Sequence, residues 1–195
     1  MFKSTVRFLH RHKRNTEDFP LEDVQVHRGF LRSYNTGRND LIDLLNKALD
    51  QHPDYSIVFT GHSLGAAFAV LAALDFVTSH DPLAASRVSI ITFGQPRIGN
   101  TAFANYFDSI KWKEVVRVTR RDDIVTRIPP LSKGYTHAKK ELYLLDNHTL
   151  KEDCKLSGLA GETIDCSSKD RGVAKAIHTK GYFNYTTRPK LTGPC

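Results

Sequence analysis

The feature that most constrains the fold is a five-residue segment, Gly61-His62-Ser63-Leu64-Gly65, placed between two apolar runs of different character. The run before it, residues 56–60, is rich in β-branched and aromatic side chains and predicts a strand. The run after it, residues 66–74, is rich in alanine and leucine and predicts a helix. A strand, a sharp turn and a helix in this order are typical of an α/β fold with a nucleophile elbow, in which the turn lifts the serine above the sheet edge.

The glycines two positions before and after Ser63 predict a close backbone crossing at this turn. A Cβ at Gly61 or Gly65 is expected to collide with neighbouring backbone. The five-residue motif alone occurs by chance in roughly one chain in fifteen of this length. The flanking strand and helix make a nucleophilic Ser63 the favoured interpretation, and a purely structural turn is the alternative.

The composition is that of one globular domain. Of the 195 residues, 40% are hydrophobic and 25% are charged, so the chain can form a core and has no signature of disorder. The formal net charge of +7 comes mostly from scattered residues, and no nucleic-acid-binding motif accompanies them. A solvated basic surface is the favoured interpretation, and weak attraction to anionic lipid membranes is the alternative. No apolar run reaches the roughly 18 residues that span a bilayer.

The amino-terminal segment differs from the rest of the chain. Residues 1–14 are basic, but no apolar stretch of about 7–15 residues follows, so they do not have the pattern of a secretory signal peptide. We expect residues 1–23 to form a poorly ordered or atypical basic leader. Residues 24–195 are expected to form a single α/β domain.

The three cysteines, Cys154, Cys166 and Cys195, all lie in the last quarter of the chain. Their spacing is not that of a metal site, which argues against a zinc protein. Cys154 and Cys166 bracket a glycine-containing loop and suit a local disulfide in an oxidising compartment, which leaves Cys195 unpaired. Asn147 and Asn184 begin N-glycosylation sequons, which matter for an exported protein.

Strand-like and helix-like runs alternate along the chain, which predicts a mainly parallel sheet flanked by helices. Residues Val24–Phe30 are expected to form a strand or an approach loop. The spacing of apolar residues predicts a helix over Asn39–Gln51, with Asn39 as its N-cap. Further predicted elements are strands at 88–93, 114–119 and 142–145 and a helix at 101–108, with a polar loop at 146–175.

A serine nucleophile needs a base and a carboxylate that orients the base. In α/β-hydrolases these groups occur in the chain order Ser, then Asp or Glu, then His. Asp123 follows the 114–119 strand, at the sheet edge where such folds assemble their sites. The alternative roles of this carboxylate are a helix cap or a surface ion pair with Arg120, Arg121 or Arg127.

Three histidines follow Asp123 and are candidates for the base. His137 enters a predicted strand, where a hydrogen-bonded structural histidine is usual. His148 lies within a sequon and is expected to be exposed. His178 comes last, as the chain order requires, and precedes an aromatic cluster. The pattern alone leaves this choice open, whereas His62, inside the elbow, is expected to pack beneath the turn.

Several segments together carry a resemblance to a known family. The chain resembles the class 3 lipases of fungi, most closely their yeast extracellular branch, over about residues 24–185. The matching segments occur in the family's order and with suitable spacing, which is more specific than any single motif. They are Val26–Tyr34, Tyr55–Ala67, Phe93–Asn100, Asp123–Pro130, Gly134–Ala138, and His178 with Tyr182–Phe183.

The resemblance implies an α/β-hydrolase fold that hydrolyses carboxylic esters, typically triacylglycerols, through an acyl-enzyme and without a cofactor. Ser63 matches the family nucleophile, Asp123 its acid and His178 its base. The backbone N–H of Leu64, which follows the nucleophile, would stabilise the tetrahedral oxyanion. Family members are secreted, and the loop Cys154–Cys166 also resembles the yeast branch.

The chain departs from the family on its amino-terminal side. Members carry an upstream Arg-Gly-Thr or Arg-Gly-Ser segment, whose hydroxyl residue supplies a second oxyanion donor, followed by a lid helix. Arg28-Gly29-Phe30 has Phe at the hydroxyl position and matches a later segment, and Ala66 stands where most relatives have Gly. We therefore expect the amino-terminal strands of the fold to be missing. The alternative functions are a feruloyl or short-chain esterase, or a catalytically impaired protein that binds lipid surfaces or a partner.

Overall fold

The computed structural model describes residues 3–5, 23–79, 82–139, 141–146, 149–170, 175–179 and 182–183. Among these residues, no helix is long and apolar enough to cross a membrane. The helices are α1 (Arg28–Gln51), α2 (Leu64–Ser79), α3 (Thr101–Ser109) and α4 (Lys175–Thr179). The strands are β1 (Lys3–Thr5), β2 (Gln25–His27), β3 (Ile57–His62), β4 (Val88–Phe93), β5 (Gly99–Asn100), β6 (Glu114–Arg120), β7 (Tyr135–Thr136), β8 (Glu141–Leu144) and β9 (Leu150–Lys151).

The described strands form two sheets. The main sheet has the order β3-β4-β6-β8-β9, with parallel pairing from β3 to β8 and an antiparallel β9 at one end. A smaller antiparallel sheet has the order β1-β2-β5-β7. The mainly parallel sheet confirms the predicted α/β class. Its parallel arrangement brings the carboxyl ends of β3, β4 and β6 to one edge, where the candidate site lies.

Helix α2 is the central packing element. Apart from Asp75 and the hydroxyl residues of its last turn, it is apolar around its circumference, and such a helix requires burial on most sides. Its residues from Ala69 to Thr78 are all buried, and it packs against β3, β4 and α1. Because α2 follows Ser63 directly, the core that holds this helix also fixes the position of the turn.

Helix α1 starts earlier than its sequence predicts. It begins at Arg28 rather than at Asn39, so Asn39 lies inside the helix and is not its N-cap. The N-cap is His27, whose Nδ1 accepts a hydrogen bond from the N–H of Phe30 at 3.3 Å. The prediction of a strand or loop over 24–30 is correct only for its first part, because β2 ends at His27.

Helix α1 is longer than predicted because Tyr34 and Arg38 in its first half bind Asp75 of α2, a set of contacts that we call the Asp75 anchor. Asp75 is fully buried in α2 and accepts a hydrogen bond from Tyr34 Oη at 2.7 Å. The guanidinium of Arg38 donates to both oxygens of the same carboxylate, at 2.5 and 2.8 Å. These tertiary contacts fix the first half of α1, where local propensity is weakened by glycines at 29 and 37.

The remaining predicted elements agree with the structure to within one or two residues, with α3 ending at Ser109, β6 ending at Arg120 and β8 lying at 141–144. The predicted polar loop at 146–175 also contains β9 and a 3₁₀ turn at Ser167–Lys169. The predicted disulfide between Cys154 and Cys166 is confirmed, with a Cα–Cα distance of 5.8 Å. The predicted sites Asn147, His148, Asn184 and Cys195 lie outside the described residues. Of the basic leader, Lys3–Thr5 pairs with β2, and residues 6–22 lie outside the described residues.

Candidate active site

Ser63 occupies the sharp turn between β3 and α2. Its backbone has φ of +58°, in the left-handed region that non-glycine residues rarely adopt. Its N–H donates to the carbonyl of Phe93 at the end of β4, at 3.0 Å, and its own carbonyl accepts from the N–H of Ala66 at 3.0 Å. The strained turn is therefore held from the sheet on one side and from the helix on the other, which is the local geometry predicted for an elbow.

Only one of the two elbow glycines is required by a close backbone approach. A Cβ at Gly61 would lie 2.3 Å from the carbonyl oxygen of Gly65, which is too close for any side chain. A Cβ at Gly65 would meet nothing within 4 Å. The prediction that a Cβ would collide at both glycines is thus correct for Gly61 and wrong for Gly65. At this crossing the Cβ position of Gly61 meets the backbone of Gly65, whereas the Cβ position of Gly65 faces open space.

Asp123 and His178 lie together although they are 55 positions apart in the sequence. Asp123 follows β6 and is fully buried. Its Oδ2 contacts His178 Nδ1 at 2.9 Å and accepts a hydrogen bond from Tyr182 Oη at 2.6 Å. Its Oδ1 accepts from the backbone N–H of Val125 at 2.9 Å, so Asp123 also caps the short 3₁₀ turn Ile124–Arg127. The cap that the sequence offered as an alternative role is therefore present together with the histidine contact.

The environment of Asp123 favours its ionised form. Burial by itself raises the pKa of this carboxyl, but hydrogen bonds from His178, Tyr182 and the Val125 N–H outweigh burial and lower the pKa below its usual value. The pKa of Tyr182 shifts in the opposite direction. Burial and the nearby negative charge of Asp123 raise it well above its usual value. The pair therefore consists of a carboxylate and a neutral phenol.

The contact with Asp123 defines which nitrogen of His178 is available. An ionised carboxylate only accepts hydrogen bonds, so Nδ1 carries a proton, and Nε2 is the ring nitrogen left to exchange a proton with another group. Nε2 is buried and has no hydrogen-bond partner among the described residues. This is the arrangement that a general base requires, since a neutral imidazole with a free Nε2 can accept a proton.

His62 packs against His178 rather than beneath the turn as expected. The two rings are stacked, with centroids 4.4 Å apart and planes inclined by 28°. Burial lowers the pKa of His62, and the adjacent His178 lowers it further. The His62 ring thus forms one wall of the site and connects the elbow, one residue before Ser63, to the ring of His178.

Gly94 is a part of the site that the sequence reasoning missed. It follows β4 with φ of +56°, and a Cβ there would lie 2.9 Å from Asp123 Oδ2, 3.0 Å from His178 Cε1 and 3.0 Å from Tyr182 Oη. Only glycine leaves room for these three groups to meet. The signals were a glycine directly after a predicted strand and an aromatic cluster directly after the last histidine, and each is common without function.

His137, the other histidine candidate that the structure describes, contacts a different group from Asp123. His137 is buried, and its Nε2 contacts the carbonyl oxygen of Thr126 at 2.7 Å. Its burial, together with the positive charges of Arg117 and Arg97, lowers its pKa well below the usual value. The prediction that His137 is a hydrogen-bonded structural residue is confirmed.

The described residues contain one group with metal-ligand composition, formed by Glu141, Cys154 and Cys166. The two cysteines are joined in a disulfide and offer no thiolate to a metal. The oxygens of Glu141 accept hydrogen bonds from the hydroxyl groups of Thr119 and Thr163. The geometry of this group is thus that of a structural cluster beneath the disulfide.

Comparison with known proteins identifies the family of this chain. A family profile described as lipase (class 3) matches residues 2–133. The lipase of Rhizomucor miehei is 36% identical over 170 residues, which cover 86% of this chain and 46% of the relative. The lipase of Rhizopus niveus is 34% identical over 173 residues, which cover 87% of this chain and 43% of the relative. The chain thus spans less than half the length of these curated relatives.

Solved structures give the same result. The Rhizomucor miehei lipase propeptide complex has a TM-score of 0.74 and 35% sequence identity, over 87% of this chain and 54% of that chain. A triacylglycerol lipase described as having a serine protease triad at its catalytic centre has a TM-score of 0.76 and 33% identity, over 94% of this chain and 69% of that chain. The finer resemblance to the yeast extracellular branch stays a prediction. The match over most of the chain, in sequence and in fold, shows that this chain belongs to the class 3 lipase family.

Proposed function

We propose that the protein is a serine carboxylic ester hydrolase that acts on lipid esters such as triacylglycerols, with Ser63 as nucleophile, His178 as base and Asp123 as the orienting acid. The observation that carries the proposal is the 2.9 Å contact between His178 Nδ1 and Asp123 Oδ2, which leaves His178 Nε2 buried and without a described partner. The strained elbow with Ser63 at its turn supports the assignment of the nucleophile.

The proposed reaction has two halves. In the first, Ser63 Oγ attacks the ester carbonyl carbon while His178 Nε2 takes the hydroxyl proton, and the alcohol leaves with that proton as the acyl-enzyme forms. In the second, water attacks the acyl-enzyme, gives a proton to Nε2 and releases the carboxylic acid, after which Ser63 regains its proton. Asp123 holds the imidazole in the correct tautomer and stabilises the imidazolium in both halves.

The oxyanion of each tetrahedral intermediate needs hydrogen-bond donors. Leu64 is the first residue of α2, and the N–H groups at the start of a helix lack partners within the helix. We assign the Leu64 N–H as one oxyanion donor. If this is the single strong donor, kcat is expected to lie about 10²–10³-fold below that of an enzyme with two donors.

The substrate class is supported by the relatives. The structure with a serine protease triad is that of a triacylglycerol lipase, and two further relatives are secreted mono- and diacylglycerol lipases. Lipid esters are therefore the substrates that we propose for this chain. A comparison of hydrolysis rates for short-chain and long-chain acyl esters separates a lipase from a short-chain or feruloyl esterase.

The nucleophile is tested with a fluorophosphonate probe, which labels an activated serine covalently. We expect labelling of the wild-type protein and of Ser33→Ala, which alters an exposed serine on α1, and no labelling of Ser63→Ala. Equal labelling of wild type and Ser63→Ala would exclude Ser63. A folded wild-type protein that binds liposomes but neither reacts with the probe nor hydrolyses esters would instead support the silent lipid-binding alternative.

A further inference from the structure

The aromatic ring of His62 lies between the elbow and the ring of His178. His62 is the last residue of β3, and its backbone pairs with Phe93 of β4 in the regular parallel register of the main sheet. Its side chain is stacked on His178, with ring centroids 4.4 Å apart and planes inclined by 28°, and its ring centroid lies 5.8 Å from that of Tyr182. The sheet therefore holds an aromatic ring directly against the proposed base, one position before Ser63.

The helix that carries His178 is too short to hold the imidazole by itself. Helix α4 has five residues, and a helix of this length is not stable without tertiary contacts. The contact of Nδ1 with Asp123 Oδ2 fixes one atom of the ring. A single hydrogen bond leaves the ring plane free to turn about that bond. A second contact, on a face of the ring, is therefore needed to define where Nε2 points.

His62 supplies this second contact. Its ring covers one face of the His178 imidazole, whereas Asp123 contacts Nδ1. The backbone of Gly94 runs past the edge of the same imidazole, since a Cβ on this glycine would come within 3.0 Å of Cε1. These contacts restrain a face, a nitrogen and an edge carbon of one ring, and they leave Nε2 as the atom that can exchange a proton.

The ring of His62 is uncharged beside a base that gains charge in the proposed reaction. Burial, the largest effect, and the adjacent His178 lower the pKa of His62, whereas Asp123 and the backbone of His178 act in the opposite direction without reversing the shift. In the described part of the chain, the titratable groups that face this ring are His178 of α4, Tyr182 and Asp123. A neutral aromatic face attracts an imidazolium, whereas a second cation at the same place would repel it.

We propose that His62 is a positioning residue for the base: the main sheet holds its ring, and the stack holds the plane of the His178 imidazole so that Nε2 can receive the Ser63 proton. This inference rests on the proposed roles of Ser63 and His178. The end of β3 then carries both the nucleophile and the support of the base. Loss of the stack should slow the chemical steps and leave substrate binding unchanged, because the His62 ring acts on the base and not on the substrate.

The proposal is tested by the kinetics of two variants on a soluble short-chain ester. His62→Ala removes the ring, and we expect kcat to fall about 100-fold, the order of loss that a misplacement of about 1 Å causes. KM should stay unchanged, because Nε2 serves both halves of the reaction and both are slowed alike. His62→Phe keeps a flat, uncharged ring that can stack, and its kcat should stay within about fivefold of wild type.

The matched control is His52→Ala, which removes a stacked ring from an exposed site. The ring of His52 lies on that of Tyr55 with the same centroid distance of 4.4 Å, so its removal should change neither kcat nor KM. Circular dichroism and urea unfolding check that each variant is folded. If His62→Ala does not fold, His62→Leu, which fills the space without a flat ring, should show the same loss of kcat.

Reaction with a fluorophosphonate probe separates this proposal from the proposed function. A wild-type protein that is not labelled would overturn the proposed function and, with it, the role of His62. If the wild type is labelled, three results would overturn the role of His62 and leave Ser63 as the nucleophile. These are a wild-type kcat in the folded variant without a ring, an effect on KM alone, and a His62→Phe variant as impaired as His62→Ala.

Discussion

The carboxylate of Asp123 accepts hydrogen bonds from three donors of different kinds: an imidazole, a phenol and a backbone amide. In full burial such a group is stable only when its oxygens are paired, because an unpaired buried charge is costly. In the proposed reaction Tyr182 is therefore a positioning residue, which would act through Asp123 rather than on the substrate.

Replacing Tyr182 by Phe should alter the pH dependence of hydrolysis. Without the phenol, the Asp123 carboxylate concentrates more charge on its bond to His178 and stabilises the imidazolium, so the acid limb of the kcat/KM profile should move to higher pH. We also expect the free energy of unfolding to fall by about 1.5–3 kcal/mol, as for hydrogen bonds to charged groups. The pH profile of kcat/KM is measured with a soluble short-chain ester, and the free energy of unfolding is measured with urea.

The matched control for this substitution is Tyr34→Phe. It also removes a buried phenol from a buried carboxylate, here Asp75, where the hydrogen bond is 2.7 Å long. It should lower stability similarly and leave the acid limb in place. An acid limb that does not move in Tyr182→Phe, or that moves equally in Tyr34→Phe, would contradict the positioning role.

The two elbow glycines should respond differently to alanine. Gly61→Ala would bring Cβ to 2.3 Å from a backbone oxygen, and we expect a loss of at least about 3 kcal/mol in the free energy of unfolding or a failure to fold. Gly65→Ala enters open space on a helix, so its stability should stay within about 1 kcal/mol of wild type. Thermal and urea unfolding of both variants measure their stabilities. Equal losses in Gly61→Ala and Gly65→Ala would refute the prediction.

At the scale of elements, α1 shows a tertiary contact overriding local propensity. Two glycines and a β-branched Thr36 make residues 28–38 a weak helix, and the apolar spacing becomes regular only after Asn39. The buried carboxylate of Asp75 holds Tyr34 and Arg38 on the face toward α2. Packing of α1 on α2 therefore stabilises the first half of α1, and the sequence pattern predicts only the second half.

Removing the cation from this anchor should destabilise the protein. Arg38→Gln leaves the Asp75 charge buried without its ion pair, and because Arg38 is 25% exposed we expect a loss of about 2 kcal/mol, below the roughly 3–5 kcal/mol of fully buried pairs. Arg32→Gln, at an exposed position on the same helix, is the control and should change little. Urea unfolding with the two variants at equal ionic strength measures this, and equal losses would count against the anchor.

At the scale of the whole molecule, a buried ionic network ties the loops around the site to one another. Arg97, after β4, donates to both oxygens of Glu162 at 2.7 and 2.9 Å and to the carbonyl of Pro129 at 3.1 Å. Glu162 also accepts from the N–H of His137 at 2.8 Å. The network links the loop that carries Asp123 to the disulfide-closed loop, so stability and site geometry depend on the same contacts.

Because His137 is buried in this network, we expect the free energy of unfolding to fall in acid. His137 is buried beside two arginines, and its lowered pKa means that the folded protein does not bind a proton there when the unfolded chain does. Stability should therefore be full above the usual pKa of 6.5 and should decline as the pH falls below it. The lowered pKa of His62 acts in the same direction.

The contribution of His137 is measured by urea unfolding between about pH 5 and 8, across its usual pKa. His137→Gln should lower stability at the upper end, through the lost contact with Thr126, and should reduce the decline toward acid. His52→Gln, at an exposed site, should leave the decline unchanged. A wild-type protein with constant stability over this interval would refute the prediction.

Local patterns in the sequence determined the elements near the site. The β-branched run, the elbow and the alanine-rich run predicted β3, the turn at Ser63 and α2, because strand and helix periodicity and turn chemistry are properties of neighbouring residues. The cysteine spacing predicted the disulfide for the same reason. The order of Ser63, Asp123 and His178 matched the family, whereas their catalytic roles stay predictions.

Local residue patterns left open which distant groups meet, and before the structure only the resemblance to the family pointed to His178. His178 rather than His137 reaches Asp123, Tyr182 adds a second hydrogen bond, and Gly94 leaves room for all three, because these contacts depend on which strand ends share an edge of the sheet. The start of α1 is likewise set by its packing on α2. Such features arise from the positions of distant segments in space, and no local pattern of residues encodes them.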